Sequence, residues 1–321
     1  MDKNDHKILK ELILNPLESR PRMAKRLSLS REVLSYRIKK MEREKIFEYW
    51  SVIDIFKVAN IVHFWINIKH SLTALEEAEL VSLLKGSPIF NLYLQLVGTY
   101  NTVISCILNQ KDDIYTLISQ IDARFKNKIS SFSVPEIVEE HFFCGHFLGI
   151  DYTQHKYIIW EKKEVISLDP LDLKIIKTLF EYPLLNNIEL AKQMKVSIDT
   201  TRSRVKKLYQ EKVVMPYVEV DFQKFGYSAF MYFGNLKCLD SAMKKKIITY
   251  AQMHTCFREV LFCVGEYNLI LNLVVKDTTE LRDSIVKFKS FIQETILTDN
   301  VLIILPERER GLRLHALFGK G

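Results

Sequence analysis

The chain predicts as an α+β protein made of two tandem copies of one unit, a helix-turn-helix domain followed by a βαββαβ domain. Three observations lead there. The 321 residues repeat themselves at a constant offset of 167: Asp5 falls on Asp172, Ile8 on Ile175, Leu12 on Leu179, Ala24 on Ala191 and Ser30 on Ser197. The register continues through Arg37, Lys39 and Lys40 on Arg204, Lys206 and Lys207, and still holds where "VGTYN" (97–101) meets "VGEYN" (264–268). Each copy opens with apolar residues at helical spacing and closes with β-branched and aromatic runs. Gly and Pro are scarce, at 10 and 8 residues, which favours long regular elements over disorder.

Within each copy the first sixty or so residues read as helices. Ile8, Leu9, Leu12 and Ile13 keep one apolar stripe, as do Ile175, Ile176 and Leu179. A short second helix carries Met23, Ala24 and Leu27, matched by Leu190, Ala191 and Met194. Ser30 and Ser197 then stand as N-caps of a third helix, with Glu32 and Asp199 in its first turn, where a carboxylate suits the helix dipole. Val33, Leu34, Ile38 and Met41 face inward. Three short helices of this kind make a helix-turn-helix unit of winged-helix-like type, its last helix presented to solvent.

The rest of the first copy alternates otherwise. "IVHFWINIK" (61–69), "IFNLYLQLV" (89–97), "NTVISCIL" (101–108) and "SFSVPEIVEEHFF" (131–143) predict strands, with helices at 73–86 and 112–126 between them. The order strand, helix, strand, strand, helix, strand is the ferredoxin-like arrangement. In the second copy, strands are expected near 227–236, 257–264, 268–276 and 299–305, and helices near 240–253 and 279–296. The expected domains are 1–60, 61–143, 168–226 and 227–321. Residues 144–167 join the halves as a packed linker rich in aromatic and aliphatic side chains.

Net charge is +7, unevenly spread. Residues 19–45 hold ten basic and three acidic side chains, and 186–212 hold seven and three. Basic residues thus gather on the third helices and the segments before them, which suits a double-stranded DNA partner. Early residues of a helix in the major groove meet base edges, while flanking cations hold phosphates. On that logic Arg31, Ser35 and Tyr36, with Asp199, Arg202 and Ser203, are assigned to bases; Arg20, Arg22, Lys39, Lys40, Lys206 and Lys207 are assigned to phosphates. Arg37 and Arg204 fit either DNA contact or bracing of the helices. The two reading surfaces, "REVLSYR" and "IDTTRSR", differ, so unlike half-sites are expected.

The five cysteines show no paired spacing and read as thiols of a reducing compartment. His141, Cys144, His146 and His155 cluster near the linker without a metal-ligand spacing, so neither metal nor other cofactor is expected. The amino terminus lacks the apolar run of a secretory signal, and no stretch reaches the roughly 18 apolar residues of a membrane span. The expectation is a cytoplasmic, nucleoid-associated protein with no membrane partner.

These motifs resemble the Lrp/AsnC family of prokaryotic transcription regulators. "DHKIL" (5–9) and "DLKII" (172–176) match its opening helix, and "MAKRL" (23–27) and "LAKQM" (190–194) its second. "RIKKMEREKI" (37–46) and "RVKKLYQEKV" (204–213) match its recognition helix. The resemblance implies a DNA-binding regulator that is not an enzyme. It also implies a βαββαβ domain for effectors and assembly, and a single chain acting as a pseudo-dimer that can assemble further. It places an effector or assembly turn at Gly98, Tyr100 and Asn101, and at Gly265, Tyr267 and Asn268. Two positions depart from the family. Lys45 and Lys212 replace its glycine after the recognition helix. Asn101 and Asn268 replace the aspartate of its turn, which speaks against classical amino-acid sensing because an amide cannot neutralise an ammonium group. Siroheme decarboxylases, built from the same kind of halves, are the alternative from another class; an architectural DNA-coating protein is the third.

Overall fold

A computed structural model describes residues 1–108, 112–161 and 165–310. The end of the expected 227–321 domain and residues 162–164 of the linker lie outside the described residues.

The first unit begins with α1 (Lys3–Leu14), α2 (Arg20–Leu27) and α3 (Arg31–Arg43). Asp2 caps α1 through a reciprocal box with Asp5, and the Ser30 hydroxyl accepts from Val33 N–H at the start of α3. Strand β1 (Phe47–Ile53) and the short α4 (Ile55–Val58) follow. Then come β2 (Val62–His70), α5 (Ala74–Lys85), β3 (Phe90–Val97), β4 (Thr102–Leu108), α6 (Asp112–Phe125), β5 (Ile129–Ser133) and β6 (Glu136–Phe142). The connection contains β7 (Ile158–Glu161).

The second unit repeats the order with α7 (Pro170–Glu181), α8 (Asn187–Met194), α9 (Ile198–Gln210) and β8 (Val214–Val220). It continues as β9 (Ser228–Leu236), α10 (Ser241–Met253), β10 (Phe257–Val264), β11 (Leu269–Val275), α11 (Thr278–Ile292) and β12 (Ile296–Arg310).

Two features depart from the reading of the sequence. The first sixty residues are not all helical: "FEYWSVI" and its counterpart "VMPYVEV" are strands. Their alternating aromatic and β-branched residues are strand signals, and they sit directly behind a helix. Second, the single strand expected at 131–143 is two, β5 and β6, parted at Pro135, which has no N–H for a ladder.

Among the described residues, strands β1 and β8 pair only with each other, antiparallel, from Phe47↔Val220 to Ile53↔Val214. This ribbon joins the two repeats by exchange. Val218 and Val220 of the second repeat share a core with Ile8, Leu9, Leu12 and Ile38 of the first. Ile53 of the first repeat packs with Ile175, Ile176, Leu179 and Val205 of the second. Each three-helix unit therefore completes its apolar core on the other repeat's strand, and separating them would expose both faces to water.

The other ten strands among the described residues run β5-β2-β4-β3-β12-β9-β11-β10-β6-β7. β2 also meets β6, at His63↔Ile137 and Phe64↔Glu136, so the strands from β2 round to β6 close on themselves. Side chains alternate accordingly. Ile66, Ile68, Ile104 and Cys106 face outward beneath α5 and α6, while Tyr232, Leu271 and Leu273 lie under α10 and α11. Trp65, Leu94, Val103, Met231, Phe233, Ile270 and Leu302 point into the ring. Such closure leaves few unpaired strand edges.

The connection packs tightly. Phe143 N–H donates to Arg258 O at 2.8 Å, and His146 Nδ1 lies 3.0 Å from Phe257 O. Gly145 has φ +61°, and a Cβ there would stand 2.5 Å from Ile13 Cδ1. Among the described residues no helix is long and apolar enough to cross a membrane.

Candidate nucleic-acid interface

The site is built from α3 and α9, which are buried on one side only. Leu34, Ile38 and Met41 anchor α3; Thr201, Val205 and Leu208 anchor α9. The opposite faces carry the charge. Arg22, Arg31, Tyr36, Lys39 and Lys40 are exposed, Tyr36 at 67%, and Ser35 is half-buried. Val33, expected inside, is 42% exposed because it lies off the stripe of Leu34, Ile38 and Met41 that keeps the helical spacing of the buried face. On α9, Asp199, Arg202, Ser203, Lys206 and Lys207 are exposed. Arg202 Nη1 donates to Asp199 Oδ1 at 2.9 Å, so these two neighbours are engaged with each other.

Arg20 differs from the other assigned cations. It is half-buried, and its Nη2 donates to the Tyr49 hydroxyl at 3.0 Å, which ties the start of α2 to the ribbon. Arg37 and Arg204 are braces. Arg37 Nη1 donates to Asp2 Oδ2 and Asp5 Oδ1, both at 2.7 Å; Arg204 Nη1 donates to Asp169 and, at 3.0 Å, to Asp172 Oδ1. Each arginine thus ties a recognition helix to the capping box of the first helix in its unit. Asp2 and Asp169 are held below the usual carboxylate range, chiefly by backbone N–H groups of those boxes and then by the arginines.

Lys45 and Lys212, which replace the family glycine, keep the left-handed conformation at φ +51° and +52°. The turn that ends the recognition helix is thus retained despite the side chain.

The two glycine turns lie at one end of the strand ring. Tyr100 O–H donates to Glu266 Oε2 at 2.7 Å, bridging them, and Asn300 Nδ2 donates to the Tyr267 hydroxyl at 2.6 Å. Gly98 (φ +150°) and Gly265 (φ +157°) pass close to Leu302 and Pro135, at 3.0 Å from the position of an added Cβ. The amides of Asn101 and Asn268 serve the backbone: Asn101 Oδ1 accepts from His70 N–H, and Asn268 Oδ1 from Leu236 N–H, each at 2.8 Å.

A feature the sequence did not signal lies between the ribbon and the inner faces of the ring. It is a cavity of about 410 Å³. Trp50, Trp65 and Trp160 all line it, and the chain has three tryptophans in all. His63 Nε2 and Asn91 Nδ2 both meet Ser105 Oγ, at 2.8 Å. The residues are scattered over more than two hundred positions, with no spacing motif to reveal them.

A model described as winged helix-turn-helix DNA-binding matches residues 1–48 and 168–215, which are the two units described above. An uncharacterised HTH-type transcriptional regulator of Pyrococcus horikoshii is 28% identical over 109 residues, 33% of this chain and 71% of the relative. The leucine-responsive regulatory protein of Rhizobium meliloti is 27% identical over 139 residues, 42% and 85% of the two chains. Among solved structures, the siroheme decarboxylase NirDL aligns over 97% of this chain and 93% of its own, with a TM-score of 0.63 and 13% identity. That likeness is one of fold. It corrects the expectation that the chain is not an enzyme, because an enzyme is built on this fold from end to end and the architecture does not speak against catalysis. With two helix-turn-helix units, two regulator relatives and one repeat at a fixed offset, the chain is similar to Lrp-type transcription regulators and carries their kind of unit as a tandem duplication.

Proposed function

We propose that this chain is a sequence-specific DNA-binding transcription regulator, working in the cytoplasm as an intramolecular pseudo-dimer whose two ferredoxin-like halves close one ring. The observation that carries the reading is the pair of recognition helices, each apolar inside and cationic outside, mounted at opposite ends of one shared ribbon. Arg31, Ser35 and Tyr36 on α3, and Asp199, Arg202 and Ser203 on α9, read bases; Arg22, Lys39, Lys40, Lys206 and Lys207 hold phosphates. Arg20 orients α2 through Tyr49 and adds charge to the same face. Because the two helices differ, the preferred site has unlike halves. The turns at Gly98, Tyr100 and Asn101, and at Gly265, Tyr267 and Asn268, serve assembly of the two halves within the chain, since Tyr100 bonds to Glu266 and both asparagine side chains are engaged with the backbone.

Selection of duplexes from a random pool tests this directly. Enriched sites with two dissimilar halves, and affinity that falls steeply with salt, are expected. Recovery of clean palindromes would overturn intramolecular pairing, and equal affinity for random duplexes would leave an architectural DNA-coating protein.

One observation favours a second reading, a tetrapyrrole-directed enzyme: the fold match to siroheme decarboxylase spans both halves and the junction between them. Absorbance spectra of the full chain with an added iron tetrapyrrole decide it. A stoichiometric shift of the absorbance bands supports the enzyme, and unchanged spectra remove it.

A further inference from the structure

We infer that the cavity beneath the β1–β8 ribbon is a binding site for a planar heteroaromatic molecule of one or two rings, of nucleobase kind, and that its occupation tunes DNA binding. The second half of this inference rests on the regulator reading proposed above.

Besides charged members, among them Arg258 paired with Glu219 at 2.9 Å, the lining has two chemical characters that bear on a ligand. The first is flat aromatic surface: Trp50 from the ribbon, Trp65 from β2 and Trp160 from β7 converge on one space of about 410 Å³. Indole faces favour offset stacking with another planar ring over contact with an aliphatic chain. The volume lies within the usual 300–1,000 Å³ range of small-molecule sites.

The second is unused hydrogen-bonding capacity. The indole N–H groups of Trp65 and Trp160, and the side-chain carbonyls of Asn91 and Asn272, are buried polar atoms with no partner among the described residues. Trp65 and Asn272 are each only 5% exposed. Buried donors and acceptors are normally satisfied, so four such atoms around one cavity form an incomplete polar set. Two are donors and two are acceptors. A complementary ligand must offer acceptors to the indoles and donors to the amides while staying flat, and the edges of a purine combine these properties. An aliphatic amino acid offers no flat face, and a plain hydrocarbon leaves all four atoms unmatched.

The location gives the site its consequence. Trp50 and Tyr217 are register partners across the ribbon, and both line the cavity. The same ribbon closes the cores of both helix-turn-helix units. A molecule stacked under Trp50 therefore bears on the element that sets where α3 and α9 stand relative to each other.

Because every tryptophan of the chain faces this space, intrinsic fluorescence of the full-length protein reads occupancy directly. The probes are adenine, hypoxanthine, indole, leucine and an iron tetrapyrrole. Saturable quenching by adenine or hypoxanthine is expected, with indole at least about tenfold weaker because it lacks an acceptor edge. Asn272→Leu and, separately, the half-buried Asn91→Leu should each raise the purine Kd at least about tenfold, with unchanged circular dichroism as the folding control. Absence of saturable quenching by either purine at millimolar concentration overturns the inference, as does binding of the tetrapyrrole alone. Equal titrations of a folded Asn91→Leu variant and the parent chain also overturn it. A purine that binds in the cavity yet leaves DNA affinity unchanged removes the regulatory half only. Failure of DNA binding without any ligand is a separate result, which strikes the regulator reading and leaves the cavity measurement standing.

Discussion

Arg204 reaches from the recognition helix α9 to the carboxylate of Asp172, 3.0 Å away and almost wholly buried at the start of α7. Its equivalent Arg37 makes the same bond to Asp5 at 2.7 Å. One side chain per repeat thus ties the third helix of each helix-turn-helix unit to the first helix beneath it. Removing Arg204 leaves a buried carboxylate without its counter-charge. Arg204→Ala should destabilise the chain by about 1–2 kcal/mol, a figure discounted because the arginine keeps a third of its side chain exposed. Arg37→Ala should cost less, since Asp5 is more accessible. Denaturant titration measures both. If these arginines are braces, neither variant should reduce the salt slope of DNA binding.

The exposed lysines should do the reverse. Replacing Lys39 and Lys40 together with alanine should weaken binding to all duplexes alike and flatten the plot of log K against log salt by about 1–2 units. The Lys206, Lys207 pair should act similarly, with little change in thermal stability for either. Arg31→Ala should instead relax sequence preference in one half-site. An unchanged salt slope in both double variants would move the DNA surface elsewhere.

Asp54 supplies a pH signature. It sits at the ribbon's end, 2% exposed, with Lys57 Nζ 3.4 Å away, and burial pushes its carboxyl up to about 6 against that cation. In the unfolded chain the group titrates near 3.9. The folded form therefore binds more protons between these values. Its contribution to stability is full below about pH 3.9 and is lost as pH rises through 6. Asp54→Asn should gain about 1–2 kcal/mol over the parent at pH 7.5, with the advantage gone near pH 4. Thermal melts across that range check the sign, and a constant difference would rule the carboxyl out as its source.

Lys45 and Lys212 occupy left-handed backbone that glycine adopts freely. Lys212→Gly should stabilise the second helix-turn-helix unit by up to about 1 kcal/mol, the gain being offset in part by the freer unfolded chain. Lys45→Gly should stabilise similarly. A drop in DNA affinity for either variant would show that the lysine is kept there for a phosphate. Melting curves and binding isotherms of the two variants separate strain from contact.

The repeat, the six helices of the two binding units and the order of strands around α5, α6, α10 and α11 were legible because each rests on local rules. Apolar residues every three or four positions make a helix face wherever the chain goes, and Ser30 and Ser197 cap helices by bonding to residues three positions on. The cationic faces were legible for the same reason. Arg37 and Arg204 could not be decided locally, since an arginine on a helix flank looks alike whether it faces phosphate or Asp172. The strands β1 and β8 carried strand-like residues, yet each follows a helix and finds its partner only in the other repeat, some 167 residues away.

The amino-acid sequence by itself determined the elements, their duplication and the side of each recognition helix that stays wet, because periodicity and capping act within a few residues. Folding in three dimensions alone decided that each helical unit finishes its core on its neighbour's strand, that β2 and β6 close the ring, and that three distant tryptophans come to share one chamber. Those contacts join positions far apart along the chain, and their stability comes from burying surface that no short segment possesses on its own.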